Sequence, residues 1–401
     1  MFQLQIDNSK RYLIAVSGGP DSMALFDMAR RSGAYIEAAH VNYHKRETAK
    51  RDEDIVRGYC KKYGIPFHRC DFDGEKYEGN FQAAARKARY DFFYEVCKEN
   101  GLEEVLVAHQ KDDLIETYLM QEEKKIGVSY YGLRKTNIIN NVRVYRPLLG
   151  YTKNALLRYC KENHVSYGID ESNLEDDYTR NRVRHEKIEM MSDAEKEELV
   201  KIIEERNAKK KLHYERAKLS LQKGSFTEKQ FSKIPYLYEY LSVHFSSLSK
   251  SYYKEMKRQL LQADRCVFEG KDIILCKEYG KICIFGKKDA YEYVFESIDQ
   301  MRGFSCEYFA FREKGKKIEG ICLSDNDFPI VVRNARKEDA ILLRFGTKKL
   351  NRFFIDRKIP LQEELLWPVI VNARNEVIFV SDLGCDINHY CDDPSVFMIK
   401  C

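Results

Sequence analysis

No stretch of about 18 or more uncharged apolar residues occurs in the chain, which excludes an ordinary membrane-spanning helix. The opening residues, Met1-Phe2-Gln3-Leu4-Gln5-Ile6-Asp7, lack the basic start and long apolar core of a secretory signal. A cytoplasmic protein is expected. Close cysteine pairs are missing too: the twelve cysteines are scattered from Cys60 to Cys401, and none forms a C-x-x-C. Zinc ribbons, iron–sulfur sites and thioredoxin-like centres depend on such pairs. Buried reduced thiols are therefore expected, with no structural metal and no disulfide. Internal repeats and low-complexity linkers are also absent.

What is present describes a soluble globular protein, 44% hydrophobic and 33% charged. Its 401 residues exceed one ordinary core, so two or three domains are expected. A net charge of +5 is too small to identify a polyanion partner by itself. Its distribution says more. From Arg333 to Lys358 there are nine Lys/Arg against three acids, and a second cluster runs Arg206, Lys209, Lys210, Lys211, Arg216, Lys218. Either alone reads as a solvated surface, but two together fit a protein that grips a polyanion.

The first 190 or so residues alternate between strand and helix patterns. Tyr12–Val16 is a short apolar run of strand length, and Ile36–Val41, Pro66–Cys70 and Val105–Ala108 read as the second, third and fourth strands. Between them, Asp21–Arg31, Ala49–Tyr63 and a segment with Phe81, Ala84, Ala85, Ala88, Phe92 and Val96 at i, i+3, i+4 spacing predict helices, and Asp112–Met120 predicts another. This alternation implies an α/β fold, a doubly wound and mainly parallel sheet covered on both faces. Ligands of such sheets bind at the carboxyl ends of the strands. Ser192–Ser220 reads as a long charged helix, a connector, followed by a mixed region. The last 75 or so residues, with Ile330–Val332, Val369–Val371 and Val377–Val380, predict a small α+β domain. The expected division is 1–190, a catalytic domain; 191–325, a connector and middle domain; and 326–401, a C-terminal domain.

Ser17-Gly18-Gly19-Pro20-Asp21-Ser22 lies between the first strand and the first helix. Its glycines let backbone N–H groups approach phosphate, and the helix N-terminus adds its positive dipole end. Pro20 suits a first helical turn, and Ser17 and Ser22 bring hydroxyl donors. The lysine of the Walker pattern is missing. An aspartate stands in the loop instead, and a carboxylate beside phosphates calls for a divalent cation, so Asp21 points to magnesium. After the fourth strand comes Ala108-His109-Gln110-Lys111-Asp112-Asp113-Leu114-Ile115-Glu116-Thr117. Asp112 and Glu116 share a helix face with Asp113 beside them, a cluster able to hold magnesium or a cationic amino acid. Arg86 and Arg89, on one face of the third helix, can neutralise phosphates or developing charge.

The loop resembles the pyrophosphate loop of the N-type ATP pyrophosphatases. That superfamily includes synthetases for GMP, NAD, asparagine and argininosuccinate, tRNA thiolases and the tRNA(Ile)-lysidine synthetases. The resemblance implies an adenine nucleotide alpha hydrolase-like catalytic domain in which Ser17 to Ser22 bind ATP, its α-phosphate is attacked, and pyrophosphate leaves. The segment at His109–Thr117 is similar to the A-H-x-x-D-D-x-x-E-T motif of lysidine synthetases and some thiolases, which places His109 with the nucleotide. Asn80–Tyr90 looks like that family's N-L-E-A-A-A-R-x-x-R-Y, with Gln82 where Glu is common. Asp170-Glu171-Ser172-Asn173 and Arg180-Asn181-Arg182-Val183-Arg184 resemble the lysidine synthetase D-x-S-N…R-N-x-[IV]-R signature.

At the far end, Lys348-Lys349-Leu350 through Phe354-Ile355-Asp356-Arg357-Lys358-Ile359-Pro360 is similar to that family's K-K-L-x-x-x-F-I-D-x-K-I-P block. The resemblance covers roughly 10–190 and 328–385. It departs at Gln110, at Glu338-Asp339 and around His44, where the family's motif is tighter. It implies ATP-dependent joining of free L-lysine to C2 of the wobble cytidine of an isoleucine tRNA with a CAU anticodon, through an adenylated base. Asp21, Asp112, Asp113, Glu116, Arg86 and Arg89 are then the expected catalytic groups. Asn173, Arg180, Asn181, Arg184, Lys348 and Lys349 are the expected tRNA contacts. Dimers occur in the family. Two alternatives stay open: a tRNA thiolase, which needs a reactive cysteine and a sulfur donor, and a non-catalytic RNA-binding protein with a relic loop.

Overall fold

The computed structural model describes residues 2–43, 49–72, 81–124, 127–168, 182–246 and 248–401. The chain folds as two compact units. The first holds Met1–Arg216 and Tyr236–Val243; the second is mainly Ala217–Pro235 and Ser251–Cys401.

In the first unit the expected alternation is found. It runs β1 (Arg11–Ala15), α1 (Pro20–Arg31), β2 (Tyr35–Asn42), α2 (Ala49–Tyr63), β3 (Phe67–Asp71), α3 (Phe81–Asn100), β4 (Glu104–Val107) and α4 (Lys111–Lys124). A hairpin follows, β5 (Thr136–Ile139) and β6 (Val142–Tyr145), then α5 (Lys153–Glu162). The strand order is β3-β2-β1-β4-β6-β5. All neighbours pair in parallel except the last, β5 on β6. Strand periodicity explains the two covering layers. Tyr12 and Ile14 of β1 pack with α1, Val56 and Cys60 of α2, and Leu156 and Tyr159 of α5. Leu13 between them faces the other way, against Tyr90, Phe93 and Val96 of α3. The strand order reverses between β1 and β4, so the two loops after these strands flank one crevice.

The hairpin and α5 were not evident in the sequence. β5 is mostly exposed and so shows no apolar run. Its turn is set by Asn140 and Asn141, with φ of 47° and 63°, the pairing of left-handed residues that a tight hairpin requires. α5 starts at a Thr152 cap whose hydroxyl accepts from the Ala155 N–H. Beyond it, Val183 and Ile188 pack on Leu114, Ile115 and Tyr118 of α4, and α6 (Asp193–Leu221) is the expected long charged helix.

The second unit is built on mainly antiparallel sheets, with one parallel pairing between its strands at Ile341 and Val377. β7 (Ser225–Phe226), β8 (Cys266–Glu269), β9 (Ile273–Glu278) and β10 (Lys281–Gly286) are ordered β7-β10-β9-β8. A larger sheet joins β11 (Glu292–Phe295), β14 (Ile330–Asn334), β15 (Ala340–Leu343), β16 (Gly346–Lys349), β17 (Pro368–Val371), β18 (Val377–Val380) and β19 (Gly384–Cys385). β12 (Phe309–Arg312), β13 (Gly320–Ile321) and β20 (Val396–Lys400) form a third. The apolar runs at 330–332, 369–371 and 377–380 are the buried middle strands, which is why they were legible.

One expectation is overturned here. Cys322 and Cys391 are joined as a disulfide, with Cα atoms 6.2 Å apart. The chain leaving β13 runs beside the loop before Cys391, where the Cys322 N–H donates to the His389 carbonyl. The partners lie 69 residues apart, so no close spacing announced them. The other ten cysteines are free. Among the described residues no helix is long and apolar enough to cross a membrane, and no cluster of His, Cys, Asp and Glu forms a metal centre.

Candidate active site

The loop after β1 is shaped by Gly18, whose φ is +93°. A Cβ there would also lie 2.8 Å from Asp52 Cβ and 2.9 Å from the Asp52 carbonyl oxygen on α2. Glycine is required on both counts. Gly19 differs: its φ is −74°, and a Cβ would meet only Ser17 Oγ, at 3.7 Å. Gly19 is the N-cap of α1 and makes no side-chain cap, and Pro20 begins the helix. The first-turn N–H groups are thus left for an anion. Ser22 braces the loop: its hydroxyl donates to the Gly19 carbonyl at 2.9 Å and accepts from the Ser17 N–H at 3.2 Å. The Ser17 hydroxyl lies 3.1 Å from the same oxygen.

Asp21, in the first turn of α1, is largely buried, and its Oδ1 has no hydrogen-bond partner. Its carboxyl is pushed up to about 6, first by burial and then by the negative charge of Asp113; Lys153 and Arg184 act in the opposite direction. A buried carboxylate oxygen without a partner, crowded by other carboxylates, suits a hard divalent cation with oxygen ligands. The residues present fit magnesium.

Across the crevice, α4 presents its acids in different company. Asp113 accepts the Gln110 N–H at 3.0 Å, capping the helix, and the Gln110 amide oxygen accepts the Asp112 N–H at 2.6 Å. Asp112 Oδ1 lies 2.9 Å from the ammonium of Lys196 on α6. Glu116 is fully buried and bonds Arg184 at 2.8 Å, and Arg184 also reaches Asp113 at 3.5 Å. Lys111 pairs with Glu197. Arg184, expected as a tRNA contact, lies against Glu116 and Asp113.

His109 lies in the middle of the link between β4 and α4. Its Nδ1 accepts from Arg146 Nε at 3.0 Å, and Arg146 also donates to the Arg134 carbonyl. Arg146 is buried, and burial lowers its pKa. Since arginine only donates, the neutral His109 ring carries its proton on Nε2. Arg86 lies 5.1 Å over the Tyr90 ring and lines an open cleft of about 550 Å³ with Tyr94 and Asn140. Arg89 lies 5.7 Å over Tyr43, and its Nε is buried without a partner. Lys348 and Lys349 stand on β16 of the second unit. Asn173, Arg180 and Asn181, like His44 and Asn80, lie outside the described residues.

Sequence reasoning missed Lys153 and Lys196, and it noted the run Arg146-Pro147-Leu148-Leu149 without giving Arg146 a role. Lys153 follows a recognisable Thr152 cap. Lys196 hides in a charged run that reads as exposed helix, and only the packing of α6 on α4 reveals it.

Comparison with known proteins places these features in context. Residues 2–191 match the model of the PP-loop domain. A tRNA(Ile)-lysidine synthase from Mycoplasma mycoides is 31% identical over 94% of this chain and 98% of its own length. One from Bacillus subtilis is 29% identical over 92% of this chain and 89% of its own. One from Ureaplasma parvum is 46% identical, but the match covers 44% of this chain and 54% of the relative.

Proposed function

The chain belongs to the tRNA(Ile)-lysidine synthase family, and we propose that it joins free L-lysine to C2 of the wobble cytidine in an isoleucine tRNA with a CAU anticodon. ATP is the co-substrate. The observation that carries this reading is the meeting of two loops at the β1/β4 crevice: an uncapped helix N-terminus with Asp21, and the acids of α4.

ATP's pyrophosphate end lies against the N–H groups of Gly18, Gly19, Asp21 and Ser22. Asp21 would hold magnesium, which when bound would neutralise the charge of the pyrophosphate. The C2 carbonyl oxygen of cytidine attacks the α-phosphorus, the bond to pyrophosphate breaks, and the base carries AMP at C2. An anticodon-loop base reaches such a pocket at low unstacking cost. His109, with its proton fixed on Nε2 by Arg146, serves the nucleotide as a donor. Arg86 and Arg89 offset phosphate charge. The ε-amine of lysine then attacks C2, AMP departs, and the amine's proton passes to a carboxylate of the Asp112, Asp113, Glu116 group. That group, braced by Lys196 and Arg184, also orients the cationic amino acid. Basic residues of the second unit, Lys348 and Lys349 among them, hold the tRNA backbone.

Sulfur transfer is disfavoured by the thiol nearest the loop. Cys160 touches the Pro20 carbonyl, but it is buried and its pKa is pushed up to about 12, far from a reactive thiolate. The test is pyrophosphate release from ATP on adding the CAU-anticodon tRNA. It is expected from the wild type and not from Asp21→Asn; equal release from both would remove Asp21 from the site.

A further inference from the structure

The β15–β16 hairpin of the second unit carries a feature that its own fold does not use. Its strands pair from Ala340↔Lys349 to Leu343↔Gly346, which leaves Arg344 and Phe345 as the two residues of the tip. Gly346, at φ +109°, lets the chain turn back. Ile341 of the same hairpin is fully buried, so the ladder is anchored in the core. Phe345 is nevertheless 103% exposed, more than any other large apolar side chain among the described residues. A core-anchored hairpin therefore holds an aromatic ring wholly in solvent.

The surroundings of the ring are aromatic and cationic. The Arg344 guanidinium lies 4.9 Å over the Tyr390 ring, and Lys317 lies 5.1 Å from it on the same residue. Lys348 and the exposed Lys349 follow on β16, and Arg352 comes one turn later. The Leu342 carbonyl accepts the Ile387 N–H, which brings Leu342 and Ile387, both 46% exposed, side by side. Beside Leu342 and Thr347 lies a cleft of about 430 Å³ whose lining is mixed, Arg333 and Arg336 with Glu338, Asp339, Glu376 and Asp386, so the cations that serve a polyanion are those of the hairpin, Arg344, Lys348 and Lys349. An apolar protein partner calls for an apolar surround, whereas cations interleaved with exposed rings suit a polyanion that offers flat π-faces.

We infer that Phe345 is a stacking platform for an unpaired or helix-terminal base of the tRNA substrate, with Arg344, Lys348 and Lys349 holding the flanking phosphates. The inference rests on the reading of the chain as a tRNA-modifying enzyme. It adds a base-contacting residue to the backbone contacts already proposed. Phe345 does not touch the reacting atoms, so its part lies in binding.

The test compares Phe345→Ala, Phe345→Leu and Phe345→Trp in the full chain, by filter binding of the CAU-anticodon isoleucine tRNA and by lysidine formation. Phe345→Ala and Phe345→Leu are expected to bind about five- to a hundredfold more weakly, the range for losing one stacked base. Their turnover at saturating tRNA should be unchanged. Phe345→Trp should bind like the wild type, and its added fluorescence should be quenched by tRNA. Wild-type affinity in the leucine variant would overturn stacking, since leucine keeps the apolar contact but not the π-face. Wild-type affinity in the alanine variant, accompanied by a shift from dimer to monomer, would overturn it in favour of self-association. Failure of the wild type to form lysidine would overturn the catalytic reading instead, and the binding series would still decide the role of Phe345.

Discussion

Lys196 places its ammonium 2.9 Å from Oδ1 of Asp112, with the two side chains only 8% and 11% exposed. The pair ties the first turn of α6 to the first turn of α4, and it sets Asp112 apart from Asp113, the acid whose charge bears most on Asp21.

Breaking that pair from one side leaves a buried charge alone. Lys196→Met is expected to lose about 3 kcal/mol or more of stability in urea unfolding. The double variant Lys196→Met/Asp112→Asn should recover much of the loss, because neither charge then remains. Simple additivity of the two changes would show that the ions do not interact. Asp112→Asn alone should abolish lysine incorporation; wild-type turnover in that variant would remove Asp112 from the amino-acid site.

The two loop glycines should respond differently. Gly18→Ala forces a side chain to a positive φ and against Asp52, so about 1–3 kcal/mol of stability should be lost along with ATP binding. Gly19→Ala fits the fold and should cost about 1 kcal/mol or less, the scale of an N-cap change. Its methyl group nonetheless stands where phosphate approaches. Thermal melts with and without ATP check both: Gly19→Ala should keep its melting temperature and lose the shift that ATP gives.

Much of this site was legible because its residues are local in sequence. Gly18, Gly19, Pro20 and Asp21 form one turn, and Asp112, Asp113 and Glu116 one helix face, so spacing alone assembles each. Of the five parallel strands of the first unit, β1, β2 and β4 are the largely buried ones, and their short runs were the easiest to read. What crossed the chain was hidden. Lys196 reaches Asp112 only because α6 folds back on α4, Arg146 reaches His109 through a neighbouring strand, and Cys322 meets Cys391 between distant loops. β5 was missed for the opposite reason: it is exposed, and an exposed strand leaves no periodic trace.

His389 supplies a pH signature in the second unit. Its Nδ1 faces Asp386 at 2.5 Å and its Nε2 faces Asp327 at 3.0 Å, within a buried cluster. Burial acts to lower the His389 pKa, but the bonds to Asp386 and Asp327 outweigh it, and the net shift is upward. The Asp327 carboxyl is held below its usual range by His389 and the Ser324 bonds, against burial. A raised histidine contributes stability that is present below its unfolded pKa of about 6.5 and is lost as pH rises through the folded value. A depressed aspartate contributes stability that is present above about 3.9 and is lost as pH falls through the folded value. The cluster should therefore stabilise most between about pH 4 and 6.5. Urea unfolding across pH should show His389→Gln losing stability chiefly in that window, and a loss independent of pH would argue against a charged pair.

Replacing Lys348 and Lys349 by alanine should weaken tRNA binding most at low salt. The log–log salt slope should become shallower by about one to two, as expected for one or two lost phosphate contacts. Lys349 should carry more of this, because Lys348 already lies 3.6 Å from Asp356. An unchanged slope would assign the two lysines to the fold.

The most direct measurement supplies the purified chain with labelled lysine, ATP, magnesium and an isoleucine tRNA bearing the CAU anticodon, with a methionine tRNA of the same anticodon as control. One lysine should enter the isoleucine tRNA at its wobble cytidine for each AMP and each pyrophosphate released, with none entering the methionine tRNA. Pyrophosphate release without lysine in the product, or sulfur in its place, would contradict the proposed reaction.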